Sequence, residues 1–179
     1  MTYEQLLETD EIRLRALEPD DVDLLYVWEN DTNVWSVSST LAPFSKQMLR
    51  DYVESAQNDI YAAKQLRLMI DDKSTGKTIG TIDLFDFDAH NRRAGIGIFV
   101  VEEFQKQHYA TKALQILLHY CETMLLLRQV YVDVPCDNVA SVTLFSNAGF
   151  QQIGIKKDWL LNNSGYSDVV GMQKIFCGD

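Results

Sequence analysis

Cysteine is scarce in this chain: three in 179 residues, at Cys121, Cys136 and Cys177. They are odd in number, widely spaced and without metal-ligand spacing. That argues against a disulfide framework or a metal centre, and for reduced thiols in a cytoplasmic protein. No apolar run approaches the roughly 20 residues that a membrane-spanning helix needs, so a membrane is not an expected partner. The opening stretch Met1–Asp10, with Glu4, Glu8 and Asp10, lacks the basic and apolar regions of a signal peptide. Basic residues are few as well: 16 against 26 acidic ones, for a net charge of −10. Nucleic acid, whose phosphates call for concentrated Lys and Arg, is therefore not expected to bind. A cationic partner is favoured by the same field. Internal repeats, linkers and low-complexity segments are missing too, and the length suits one domain over 1–179.

What is present is an ordinary globular composition, 46% apolar and 23% charged, patterned as mixed strands and helices. Ile12–Leu17 alternates apolar and basic residues and reads as a first strand. Pro19, Asp20 and Asp21 start a helix with Val22, Leu25, Tyr26 and Trp28, ending near Asn30. Thr32–Phe44 has no period and reads as a loop; Trp28, Trp35 and Phe44 are candidates to line a binding site. Ser45 caps a second helix carrying Met48, Leu49, Tyr52 and Val53. Gln65–Ile70 and Thr78–Phe87 form a hairpin around a turn at 71–77.

The stretch from Arg92 to Leu127 is the most informative. Ala94–Val101 reads as a central strand, with Gly95, Gly97 and Phe99 on one face and Ile96, Ile98 and Val100 on the other. The bare glycine face leaves room either for a ligand or for a closely packed helix. An amphipathic helix follows, with Ala110, Ala113, Leu114, Leu117, Cys121 and Met124 against Lys112, Gln115, His119 and Glu122. A strand feeding a helix this tightly leaves the first helical N–H groups unpaired at the positive end of the dipole, an anion site suited to a pyrophosphate. Beyond it come a strand at Gln129–Val134, a helix at Asn138–Ala148, and a hairpin of Gln151–Leu161 and Tyr166–Phe176. That hairpin turns at Asn162, Asn163, Ser164 and Gly165.

The run Phe104–Leu114 resembles the acyl-CoA-binding motif of the GNAT acetyltransferases, Q/R-x-x-G-x-G/A, with Gln105 at its first position and Ala110 at its last. Asn138, Ser141, Leu144, Phe145, Gly149 and Phe150 resemble the family's second segment, N-x-x-S…L-Y/F-x-x-x-G-F. The likeness extends to the branch holding the ribosomal-protein N-terminal acetyltransferases and spermidine N-acetyltransferase. It implies an α/β (α+β) fold, a central mixed sheet of six to seven strands flanked by about four helices. It also implies acetyl-CoA as co-substrate, an amine acceptor (a polyamine, small amine or peptide N-terminus) attacking directly in a ternary complex, and a homodimer.

Residue by residue, the resemblance implies that main-chain groups of Ile98, Phe99 and Val100 pair with the pantetheine arm. The segment Gln105, Lys106, Gln107, His108, Tyr109, Ala110 and Thr111 would hold the pyrophosphate, Asn138 would bond the arm, and Phe145 would pack against the cofactor. Three features depart from the pattern, the first being Gly95, which stands where several members carry an acidic residue early in the central strand. His108 and Lys106 stand where the family commonly has glycine, which His108 accommodates if its φ is negative. Phe145 stands where many members have a tyrosine that protonates the leaving thiolate; Tyr109, Tyr131 or water are the substitutes. For the base, Asp83, Asp86, Asp88 and His90 lie on the acceptor side, with Asp86 and His90 preferred. A module of this fold that binds acyl-CoA without turnover is the competing expectation.

Overall fold

The computed structural model describes residues 6–33, 35, 40–56, 59–162 and 165–177. Seven strands form one sheet: β1 (Ile12–Ala16), β2 (Leu66–Asp72), β3 (Lys77–Asp88), β4 (Arg93–Val100), β5 (Gln129–Pro135), β6 (Gln151–Asn162) and β7 (Gly165–Ile175). Their order is β1-β2-β3-β4-β5-β7-β6. Every pairing is antiparallel except β4 with β5. Asn163 and Ser164 of the expected last turn lie outside the described residues, as do parts of the expected 32–44 loop.

Alternation along β2 divides the core. Leu68 and Ile70 face the larger cluster, which takes in Ile82, Leu84, Ile96 and the buried face of α4 (Tyr109–Thr123). Met69 faces the other way, onto Leu25 of α1 (Val22–Glu29) and Leu49 and Val53 of α2 (Lys46–Ser55). α2 begins where Ser45 accepts from the Met48 N–H at 3.1 Å, the expected cap. The α1 region opens as a 3-10 turn at Pro19–Asp21 before becoming α-helical. A four-residue helix, α3 (Ile60–Ala63), is too short to show a period; Asp59 caps it and left-handed Lys64 ends it. The last helix, α5, spans Val139–Asn147. Met124, expected on the apolar face of α4, is 55% exposed, because the helix ends at Thr123 and its phase is lost there.

The α1 end is anchored electrostatically. Arg15 reaches from β1 to both oxygens of buried Asp21, at 2.7 and 2.8 Å, and to Asp71 of β2 at 2.8 Å. A bidentate pair of this kind fixes direction as well as distance. Cys121 is buried, which pushes its thiol up to about 12. Among the described residues no helix is long and apolar enough to cross a membrane.

At the β2–β3 turn, Asp72 accepts from the hydroxyls of Thr75 at 2.6 Å and Ser74 at 2.8 Å. These bonds favour its ionised form and pull it from an ordinary 3.8 to about 2. A carboxyl depressed on folding contributes stability that is present above its unfolded value and lost as pH falls through about 2. Replacing Asp72 by Ala is therefore expected to lower stability at neutral pH and to flatten the acid limb between about pH 4 and pH 2. Urea unfolding at stepped pH reads this directly; parallel limbs for both proteins would remove Asp72 from the account.

Candidate active site

The parallel pair β4–β5 lasts three positions only, Arg93↔Gln129, Ala94↔Val130 and Gly95↔Tyr131. Beyond Gly95 the strands diverge, while β4 stays paired to β3 as far as Gly80↔Val100. Val101 donates to Ile79 on β3 at 2.9 Å. Alternation of an antiparallel ladder then turns the N–H and C=O of Phe99 toward β3, and those of Ile98 and Val100 into the gap. The expectation that all three residues offer main-chain groups to a ligand is corrected at Phe99, whose backbone is committed to the sheet. Its ring instead packs on Trp28, centroids 5.5 Å apart.

The open end of the gap meets the loop into α4. Gln105 folds back onto the Val100 carbonyl at 2.9 Å, and Gln107 onto that of Glu103 at 2.8 Å. Lys106 has φ 60° and His108 φ 63°, so the condition of a negative φ at His108 is not met. Both residues occupy the left-handed conformation that glycine takes most readily, and histidine is among the side chains that tolerate it. The alternation of left-handed residues aims successive N–H groups to one side, over the N-terminus of a 15-residue helix. Gln105, Lys106, Gln107 and His108 are exposed, Tyr109, Ala110 and Thr111 half-buried. Lys77 lies over the Phe104 ring and Lys112 over that of Tyr109; Lys112 also pairs with Glu11.

Asn138 caps α5, its Oδ1 accepting from the Ser141 N–H at 3.1 Å. The N-x-x-S spacing is itself a helix-capping spacing, a local meaning the motif reading left out. Phe145 is 2% exposed and stands edge-on to Phe150. It is part of the core beneath the gap.

The glycine face of β4 carries neither a helix over Gly95 nor an open hollow there. The Phe85 ring occupies it, so a Cβ built on Gly95 would come within 2.3 Å of Phe85 Cε2. At Gly97 the neighbour is Asp83, with Oδ2 at 3.6 Å from such a Cβ. Arg67 grips Asp83 with Nε at 2.7 Å and Nη2 at 3.1 Å, and holds Glu29 of α1 at 2.5 Å. Its guanidinium lies over the Tyr52 ring of α2, 5.5 Å from the centroid. A recess of about 150 Å³ opens beside Tyr52, Arg67, Asp83 and Phe85. Arg67, Glu29 and Tyr52 come from three separated elements, so no spacing in the sequence announces them.

Asp86 sits in a β-bulge with φ 48° and accepts from the Tyr131 hydroxyl at 3.3 Å. His90 is exposed in the turn between β3 and β4. Asp88 is held low by its bonds to Asn91. Asp86 and Asp88 border a second, shallow recess of about 480 Å³ with Tyr61 and Lys64. Among the described residues no cluster of His, Cys, Asp and Glu is arranged to hold a metal.

The forked sheet opens onto the N-terminus of a long helix, an arrangement suited to an extended ligand with an anionic end. The family model described as "Acetyltransferase (GNAT) domain" matches residues 11–151, and the chain belongs to that family of enzymes. It is similar to an uncharacterized N-acetyltransferase p20 of Bacillus licheniformis, 28% identical over 156 residues and 87% of each chain. It is also similar to spermidine N(1)-acetyltransferase of Escherichia coli (strain K12), 24% identical over 90% of this chain and 84% of the other. A solved structure of spermidine N-acetyltransferase from Vibrio cholerae, in complex with CoA and spermine, superposes with a TM-score of 0.84. That likeness covers 93% of this chain and 96% of the other at 24% identity, and it establishes the fold.

The left-handed loop residues carry a conformational cost of about 1–2 kcal/mol each, partly offset because glycine loses more entropy on folding. His108→Gly is expected to raise Tm by up to about 2–4 °C, and His108→Val to lower it. A thermal melt in which valine is as stable as histidine would show that position 108 does not hold this backbone in solution.

Proposed function

We propose that this acetyltransferase moves the acetyl group of acetyl-CoA to a primary amine, by direct attack in a ternary complex. The observation that carries the reading is the fork: an unpaired β4 edge running from the left-handed loop at the α4 N-terminus to the Gly95↔Tyr131 apex. Acetyl-CoA supplies an activated acetyl thioester. The loop from Gln105 to Thr111 and the first N–H groups of α4 bind its pyrophosphate. The main-chain groups of Ile98 and the N–H of Val100 orient the arm, and the Ile98 N–H polarises the acetyl carbonyl. The amide nitrogen of Asn138 donates to the arm while its oxygen stays on the helix cap. Phe145 closes the floor of the gap and excludes water.

The acceptor enters on the opposite face, toward Asp83 and Glu29. Three charges there, two carboxylates and one guanidinium, leave a net negative recess that attracts an ammonium. A polyamine, a small amine or a peptide N-terminus fits this chemistry, and an amine must shed its proton before it attacks. Asp86 and His90 stand on the way to solvent and carry that proton out. The absence of a hydroxyl at Phe145 favours one competing reading, a module that binds acyl-CoA without turning it over. We further propose that the protein works in the cytoplasm as a homodimer. Edge strand β6 exposes Ile153, Ile155, Trp159 and Leu161, each more than half accessible, and an apolar unpaired edge is a surface for a second copy.

Isothermal titration with acetyl-CoA is expected to give micromolar binding, and a free-thiol assay on spermidine, putrescine and a short peptide to find an acceptor. Binding with no turnover on any amine would favour the module, and no binding would end the reading. Asn138→Asp keeps a capping oxygen and removes the amide donor; it is expected to leave Tm within about 2 °C and weaken acetyl-CoA severalfold. For the dimer, Ile155→Lys is expected to halve the mass seen by sedimentation; a wild-type monomer would refute that assembly.

A further inference from the structure

We infer that Phe85 sets the length of the acyl group that this site transfers, holding it to acetyl by closing the apex of the fork. The inference rests on the fork holding the thioester, as proposed above. Phe85 is the last residue of β3 to pair regularly with β4, opposite Gly95, before the bulge that contains Asp86. Directly paired residues of an antiparallel ladder send their side chains to the same face. Gly95 sends none, and the Phe85 ring lies down in its place. A Cβ built on Gly95 would come within 2.3 Å of the ring, and one built on Gly97 within 3.9 Å. The ring therefore covers β4 from Gly95 to Gly97, the stretch next to the Ile98 N–H. It meets Tyr131 of β5 edge-on, centroids 6.1 Å apart and planes at 85°.

Three surfaces then enclose whatever extends past the acetyl carbons. The arm enters from the Val100 end, so an acyl chain points from Ile98 toward Gly95, roughly 10 Å farther along β4. There β4 and β5 pair and the slot ends. On one face lie Ala94, Ile96, Val130 and Val132, all buried in the core. On the other lies the roof made by Phe85 and Tyr131.

The end and floor of this chamber are paired backbone and packed core, which give way only at the cost of overpacking. The roof is different. Phe85 is 37% exposed, and the same ring lines the recess of about 150 Å³ beside Tyr52, Arg67 and Asp83. It is a partition between the end of the fork and that recess. A cavity of about this volume takes a six-carbon ring, so the space that a longer acyl chain needs is present and one side chain closes it off. The partition also keeps the acyl group out of the recess that receives the amine.

Binding and turnover of acetyl-, propionyl- and butyryl-CoA by the wild type and by Phe85→Ala test this. The wild type is expected to bind butyryl-CoA at least about tenfold more weakly than acetyl-CoA, since two further methylenes do not fit the closed chamber. Phe85→Ala is expected to bring the two affinities within about twofold, and to raise the butyryl-to-acetyl ratio of kcat/KM by about tenfold or more. A loss of packing alone would weaken both acyl groups together and leave that ratio where it was. Phe85→Leu keeps an apolar side chain at the position and is expected to admit propionyl-CoA but not butyryl-CoA; it carries the test if Phe85→Ala does not fold. A wild type that binds acetyl- and butyryl-CoA equally, or variants with an unchanged ratio, overturn the assignment and leave the acetyl-CoA reading in place. A wild type that binds none of the three thioesters overturns that reading, and the part of Phe85 with it.

Discussion

Backbone hydrogen bonding is the constraint on which the rest of this structure depends. β4 is satisfied on one side by β3 along its length, and on the other by β5 for three residues only. Past Gly95, β5 no longer meets Ile98 and Val100, and the Gln105 amide reaches back to the Val100 carbonyl. Orphaned main-chain groups at the centre of a sheet are costly unless water or a ligand meets them. Separating two parallel strands inside a sheet thus makes a slot whose walls bind any extended amide-bearing chain, whatever side chains line it.

The two faces of the slot are held by different forces. Beneath it, α4 is fixed by apolar burial, with Ala113, Leu114 and Leu117 fully enclosed. On the opposite face, α1 and α2 are joined to the sheet over a smaller apolar cluster, and arginines add the direction that cluster lacks. Arg15 orients the start of α1 through Asp21, and Arg67 orients its end through Glu29. Buried charge pairs contribute modestly to stability, but removing one partner leaves the other unsatisfied. The arginines therefore act chiefly as locators, and Arg67 locates two carboxylates beside Gly97.

The loop at the slot's mouth combines a demanding backbone with permissive side chains. Left-handed turns at Lys106 and His108 give up some stability to aim N–H groups at one point. The side chains in return add cations and hydrogen-bonding groups near the expected phosphates. Phe145, by contrast, is enclosed in the core, edge-on to Phe150.

Much of this was legible in the residues alone. Alternation marked the strands at Ile12–Leu17, Gln65–Ile70 and Ala94–Val101, Ser45 marked the cap of α2, and the run from Gln105 to Ala110 with Asn138 to Phe150 marked the family, because strand and helix periods and short motifs are local properties. Tertiary structure decided the rest. Whether Lys106 and His108 turn left-handed depends on where β4 and α4 must meet, and Phe99 loses its main chain to β3 through register. Met124 is exposed because α4 stops one residue earlier. The Phe85 ring fills the space beside Gly95, and Arg67 finds Glu29 and Asp83 across 38 and 16 residues of sequence, since partners that far apart are selected by the packing of helices on a sheet and leave no period to read.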